Sequence, residues 1–138
     1  MTPEIIAKLT AAAKSASENA YPRYSQFHVG AAVLGDDGQI YVGCNVENAA
    51  FGSTSCAEAN AIANAVVNGV RKLQAVFIYT PTERYTYPCG NCRQIINEFA
   101  ADTVVFSKCL QKDVHEHSFT ELLPHAYDES DVLAGHQA

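Results

Sequence analysis

Positive charge is scarce in this chain. Lysine and arginine number 9 against 15 aspartates and glutamates, giving a net charge of −6 and an isoelectric point of about 5.2. Phosphate backbones are held by clustered Lys and Arg, so this balance argues against DNA or RNA as a major partner. A small neutral substrate stays open. No apolar run is long enough to cross a bilayer, and no membrane contact is expected. The first residues also lack the apolar core of a signal peptide, because Glu4, Lys8, Lys14 and Glu18 interrupt them. A cytoplasmic location is therefore expected. The cysteines number 5, an odd count without an export signal, which argues against a disulfide framework and for metal binding or catalysis. There is no repeat, low-complexity tract or linker, so residues 1–138 are expected to form a single domain.

Apolar residues make up 48% of the chain, enough for an ordinary globular core. Their spacing predicts the elements. Thr2 caps a helix with Pro3 at its first position, and Ile5, Ile6, Leu9, Ala12 and Ala13 form its stripe up to about Asn19. Val29 to Leu34 is a strand-length apolar run. A Gly35-Asp36-Asp37-Gly38 turn follows, and then Ile40, Val42, Cys44 and Val46 alternate, which together read as a hairpin. From Cys56 the period becomes helical, with Ala59, Ile62, Ala63, Val66, Val67 and Val70 on one stripe and Gly69 as a stop. Leu73 to Tyr79 and Thr103 to Phe106 read as strands around a helix from Cys89 to Phe99, and Val114 as part of a further edge strand. Ser118 and Glu121 suggest a capping box for a short helix ending before Pro124, and Asp128 to Asp131 a solvated helix start. Strand–helix–strand order favours an α/β fold, with a mixed sheet covered by helices and right-handed crossovers where strands run parallel.

Two short stretches carry the chemistry: Cys56-Ala57-Glu58 and Pro88-Cys89-Gly90-Asn91-Cys92. Three thiols are one ligand short of a closed zinc site, and a catalytic zinc keeps its fourth position for water. The spacing of Cys89 and Cys92 puts both sulfurs on one side of a helical turn. Each motif opens a predicted helix, where unpaired N–H groups and the helix dipole stabilise thiolates. Glu58, two residues past the first thiol, is placed to take a proton from water and return it to a ring nitrogen and a leaving amine. A Cys or His followed by x-Glu, and later by Pro-Cys-x-x-Cys, is the recognised signature of zinc nucleobase deaminases. Two other readings exist. A redox Cys-x-x-C would leave Cys56 and Glu58 unexplained. A structural zinc would need a fourth ligand from Cys44, Cys109 or one of the 5 histidines.

The chain resembles the small homotetrameric cytidine deaminases from about Ile5 to Leu133. The matching segments are Tyr21 to Ala31, Gly43 to Ala49, Cys56-Ala57-Glu58, Pro88 to Gln94, and Glu121 to Tyr127. The resemblance implies a three-layer α/β/α fold with a central mixed five-stranded sheet, Zn²⁺ as cofactor, a nucleoside substrate and four active sites in a homotetramer. It assigns Cys56, Cys89 and Cys92 to zinc and Glu58 to proton transfer. Asn45 and Glu47 would hold the sugar hydroxyls, Phe27 would pack beside the base, and Ala57 would offer its backbone at the zinc end. Tyr127 would reach the site of a neighbouring subunit. Cys44, on the alternating apolar face, is expected in the core.

Two positions depart from the family pattern. Ala59 stands where an arginine usually neutralises thiolate charge, and Arg93, next to Cys92, is the residue placed to supply that charge from the other helix start. Tyr87 stands before Pro88, where the family usually has a small hydroxylated residue. The reading is hydrolytic deamination of cytidine or 2′-deoxycytidine to the uridine with release of ammonia. Its alternatives are the same chemistry on a modified cytosine nucleoside, as in blasticidin-S deaminases, and a non-catalytic zinc-stabilised oligomer that binds nucleosides.

Overall fold

A computed structural model describes residues 1–136. The elements, in chain order, are α1 (Pro3–Ser17), β1 (Gly30–Gly35), β2 (Ile40–Cys44), a short 3-10 turn (Phe51–Ser53), α2 (Ala57–Val67), β3 (Leu73–Tyr79), α3 (Gly90–Ala100), β4 (Val104–Lys108), β5 (His115–Ser118), α4 (Phe119–Leu122) and α5 (Glu129–Gly135). The strands form one five-stranded sheet in the order β2-β1-β3-β4-β5. Only the β3–β4 pair is parallel; the other three pairs are antiparallel. This is the mixed three-layer arrangement expected from the sequence.

Strand alternation splits the core in two. Ala31, Val33, Val76, Ile78 and Val105 face one layer with α2 and α3, whereas Ala32, Leu34, Ala75, Phe77 and Phe106 face the other with Leu9 and Ala13 of α1. The strands β1 and β3 are therefore buried on both faces, which is why they read as continuous apolar runs. The hairpin turns at Gly38, whose φ of 79° suits glycine, and Asp37 Oδ1 accepts from Gln39 N at 3.0 Å. Thr2 Oγ1 accepts from Ile5 N at 3.3 Å, as its cap position predicts.

Several expectations are corrected. β2 stops at Cys44, and Val46 makes only isolated bridges to Tyr21 and Ser55, because the chain bends where Asn45 turns inward. Cys44 is half-buried rather than core, with its thiol 3.6 Å from Asn19 O. The buried face of α2 is Ala57, Glu58, Ala61, Ile62 and Ala65, whereas Val67 is 80% exposed. The reason is close approach. A Cβ on Gly43 of β2 would lie 2.3 Å from Ala61 N and 2.5 Å from Ala57 O, so only small residues fit between helix and sheet. The edge strand starts after Val114, and its sequence His115-Glu116-His117-Ser118 is too polar to show as a strand. Ser118 makes no backbone cap; its hydroxyl instead bonds Glu121 Oε1 at 3.1 Å. The capping box lies at α5, between Asp128 and Asp131.

Candidate active site

The parallel pair β3–β4 leads out of the sheet at the end where β3 hands over to α3. Cys89 caps the start of α3 and Cys56 caps the start of α2, both with extended backbone and neither spending its thiol on the cap. Cys92 lies one turn into α3 and is buried. The two helix starts converge, and the sulfurs of Cys56, Cys89 and Cys92 all lie within 4.8 Å of one another. Sulfurs around a tetrahedral zinc at about 2.3 Å stand about 3.8 Å apart, so the donor set fits that ion with a small contraction. No fourth Cys, His, Asp or Glu joins this group among the described residues. Neither Cys44 nor Cys109 completes a closed site. Hydrogen bonding from Cys92 holds Cys56 down at about 6 despite its partial burial, with Cys89 adding to this, and the same bond pushes Cys92 up.

Glu58 occupies the first turn of α2, 5% exposed. Burial pushes its carboxyl up to about 7, and the Cys56 charge acts in the same direction. Its own backbone N–H and the Cys92 thiol oppose this in part. A dication held by the thiols would pull the carboxyl back down. A carboxyl poised near neutrality beside a metal-binding group suits general acid–base work.

A cavity of about 250 Å³ opens onto this corner. Its lining includes Cys56, Ala57, Glu58 and Cys89 at one end, and Phe27, Asn45 and Glu47 among the rest. Asn45 is buried and braces the wall: its Nδ2 donates to Phe27 O at 2.7 Å and its Oδ1 accepts from Val29 N at 2.9 Å. One amide N–H remains free to donate. Glu47 Oε1 accepts from Tyr24 N at 2.8 Å and Ser25 N at 2.9 Å, and Oε2 accepts from the Ser25 hydroxyl. These bonds, the Ser25 hydroxyl first, hold its carboxyl below the usual range and leave lone pairs to spare. Ala57 is fully buried, and Phe27 is 38% exposed as part of the wall.

Tyr127 does not join this cavity. It is 60% exposed, and its carbonyl accepts from Gln94 Nε2 at 2.8 Å and Asn97 Nδ2 at 3.3 Å. Arg93 does not turn to the sulfurs. Its Nε donates to Pro88 O and its Nη1 to Leu122 O, each at 2.7 Å, tying the start of α3 to the end of α4. Ser25, Val29, Thr54 and Thr86 also line the cavity. Nothing in their spacing could have singled out Thr54 or Thr86, because the fold alone brings these loops together. Another cavity, of about 520 Å³, lies between the start of β3 and the end of α3, lined by Arg71, Glu98 and Thr103 among others. Its lining has no cysteine or histidine, and the three-thiol cluster lies at the other cavity, so chemistry rather than size selects the smaller one.

The chain was compared with known proteins. The family model "Cytidine and deoxycytidylate deaminase zinc-binding region" matches residues 3–108. A cytidine deaminase of Sporosarcina psychrophila is 44% identical over 128 residues, covering 92% of this chain and 94% of that one. One from Halalkalibacterium halodurans is 44% identical over 118 residues, covering 85% and 89%. Among solved structures, the cytidine deaminase of Burkholderia pseudomallei aligns with a TM-score of 0.84 at 40% identity, covering 92% of this chain and 100% of that one. That of Mycobacterium tuberculosis aligns with a TM-score of 0.78 at 33% identity, covering 89% and 97%. With three converging thiols, a buried carboxylate beside them and similarity along nearly its whole length, the chain belongs to the cytidine and deoxycytidylate deaminase family.

Proposed function

We propose that this protein hydrolyses cytidine or 2′-deoxycytidine to the corresponding uridine and releases ammonia. The observation that carries the reading is Glu58, a buried carboxyl that lines the cavity together with Cys56 and Cys89. A purely structural metal site has no use for such an acid, which weighs against a non-catalytic oligomer. Relatives that are named cytidine deaminases favour an unmodified cytosine over a nucleoside antibiotic.

In this reading Cys56, Cys89 and Cys92 hold zinc, which when bound supplies a Lewis acid that makes water acidic enough to react near neutral pH. Glu58 takes one proton from that water and gives it to the pyrimidine ring nitrogen as the water oxygen bonds the adjacent carbon; it then takes the second proton from the hydroxyl so formed and gives it to the amine, which leaves as ammonia when the carbon–nitrogen bond breaks. The helix-start amides of α2 and α3 offset part of the thiolate charge. Asn45 donates its free N–H to a sugar hydroxyl, and Glu47 accepts from one. That pairing orients the nucleoside so that its base enters toward Glu58. Phe27 walls the base, and the Ala57 backbone lies at the reacting end.

The proposal extends to a homotetramer in which Tyr127 serves a neighbouring site. Support comes from apolar side chains that one chain leaves in water: Tyr127, Phe51 at 74% exposure and Val67. No described helix is long and apolar enough to cross a membrane. Free thiols suit a reducing compartment, so the cytoplasm is the proposed location. The partner proposed is a nucleoside rather than nucleic acid, in keeping with the net charge of −6. The test is direct: zinc-loaded protein incubated with cytidine should lower the ultraviolet absorbance and release ammonia in equal molar amounts. Loaded, folded protein that releases none would refute the reading.

A further inference from the structure

The cavity has one wall that the reaction does not use. Tyr87 lines it next to Thr86 and Cys89, just before the proline that leads into α3. Its hydroxyl is hydrogen-bonded to His115 Nδ1 at 2.9 Å, and its ring meets the His117 ring edge-on with centroids 5.2 Å apart. Both histidines project from one face of β5, opposite Ser107 and Val105 of β4. The segment carrying Tyr87 is tied to the same two strands and the loop joining them. Ser107 Oγ donates to Thr86 O at 3.1 Å, and the Tyr85 hydroxyl donates to Asp113 O at 2.6 Å. Tyr87 is therefore clamped against the sheet edge and has little freedom to swing aside.

We propose, on the reading that this cavity takes a cytosine nucleoside, that Tyr87 limits the bulk allowed at pyrimidine carbon 5 and that His115 is the positioning residue that holds it there. The argument is geometric. Cys89 belongs to the reacting end, and Tyr87 is joined to it by a single residue, so its wall stands at that end too. The reacting carbon has two ring neighbours. One is the nitrogen that Glu58 protonates, which leaves carbon 5 to face the lining at that end that Glu58 does not supply, where Tyr87 stands. The cavity, at about 250 Å³, is below the usual range for drug-sized ligands, so a few added atoms matter. His115 is exposed and does not line the cavity, so it acts through Tyr87.

The experiment measures kcat/KM for cytidine, 5-methylcytidine and 5-bromocytidine. Tyr87→Ser should raise the ratio of 5-bromocytidine to cytidine about tenfold or more over wild type, as expected for space opened in an apolar pocket. Tyr87→Phe keeps the ring but loses the bond to His115 and should raise the ratio less. His115→Ala should match Tyr87→Phe, and the double variant should add nothing further, since both remove one interaction. The ratio of Kd values for 5-bromouridine and uridine, measured by calorimetry, should shift the same way without any turnover. A purely structural role would lower all substrates together. Unchanged ratios in Tyr87→Ser and Tyr87→Phe would overturn the role of Tyr87. A shift in Tyr87→Phe that His115→Ala does not reproduce would overturn the role of His115. A wild-type protein inactive on cytidine would instead refute the deaminase reading, while the Kd ratios would still decide the wall.

Discussion

Gly43→Ala should damage catalysis from the back of the site. Gly43 lies on β2 and does not itself line the cavity, but α2 rests directly on it. The new Cβ would stand 2.3 Å from Ala61 N, 2.5 Å from Ala57 O and 2.8 Å from Asn60 C. All three are backbone atoms, which cannot rotate away. Ordinary contact starts at about 3.4 Å, so the helix must retreat by about 1 Å. Overpacking of this kind costs about 1–3 kcal/mol. For a chain of this size that lowers Tm by about 4–12 °C. The retreat also moves Cys56 and Glu58, which sit at the start of the same helix, and a misplacement of about 1 Å can cost roughly 10²-fold in rate. The assays are calorimetry, bound zinc per chain, and kcat/KM for cytidine well below the lowered Tm. Gly135→Ala is the control, because a Cβ there meets nothing within 4 Å. A Gly43→Ala protein with wild-type Tm and kcat/KM would refute the close-approach account. One that lost stability but kept its rate would show that the displacement stops short of Glu58.

Glu58→Gln should keep fold and zinc while kcat falls by about 10²- to 10⁴-fold or more, since an amide cannot cycle a proton; wild-type kcat would refute its role. In chelator-treated protein the raised Glu58 carboxyl binds its proton more tightly in the folded state. Its stabilising effect is therefore full below its ordinary value of 4.5 and is lost as pH rises through about 7. Urea midpoints should show a downward slope in that window that Glu58→Gln lacks. X-ray absorption should find one zinc per chain with three sulfurs and one light atom, and chelation should lower Tm; four sulfurs would mean a closed structural site. Mixed oligomers of Glu58→Gln and Tyr127→Ala chains should regain part of the activity if Tyr127 serves a neighbour, and verified mixed oligomers with none would confine it to its own subunit.

Much of the fold is written in short-range pattern. The buried runs Val29–Leu34 and Leu73–Tyr79 read as strands because both faces are covered, and Gly38 and Gly69 mark reversals because their φ is positive. The buried face of α2 departs from its hydrophobic stripe for a physical reason. Hydrophobic periodicity scores Val67 above Ala61, but helix and sheet are so close at Gly43 that only alanine fits. Val114 points to an edge strand at this place but not to its extent, His115–Ser118, because an edge strand owes its place to pairing with β4, not to its own polar side chains.

The chemistry of the site was legible from neighbours in sequence. A thiol, a carboxylate two residues on, and a Pro-Cys-x-x-Cys are local features, and each helix start follows from local backbone preference. What needed the tertiary structure was every relation across a long stretch of chain. Convergence of the two helix starts brings Cys56 within 4.8 Å of Cys89 and Cys92. Burial gives Glu58 its raised pKa. Packing turns Arg93 to Pro88 O and Leu122 O rather than to the sulfurs, and Glu47 binds the loop at Tyr24 and Ser25. The bond between Tyr87 and His115 joins residues 28 positions apart. Side-chain type determines what a residue can do, but distance, desolvation and hydrogen-bond partners decide whether it does so, and those are properties of the packed chain.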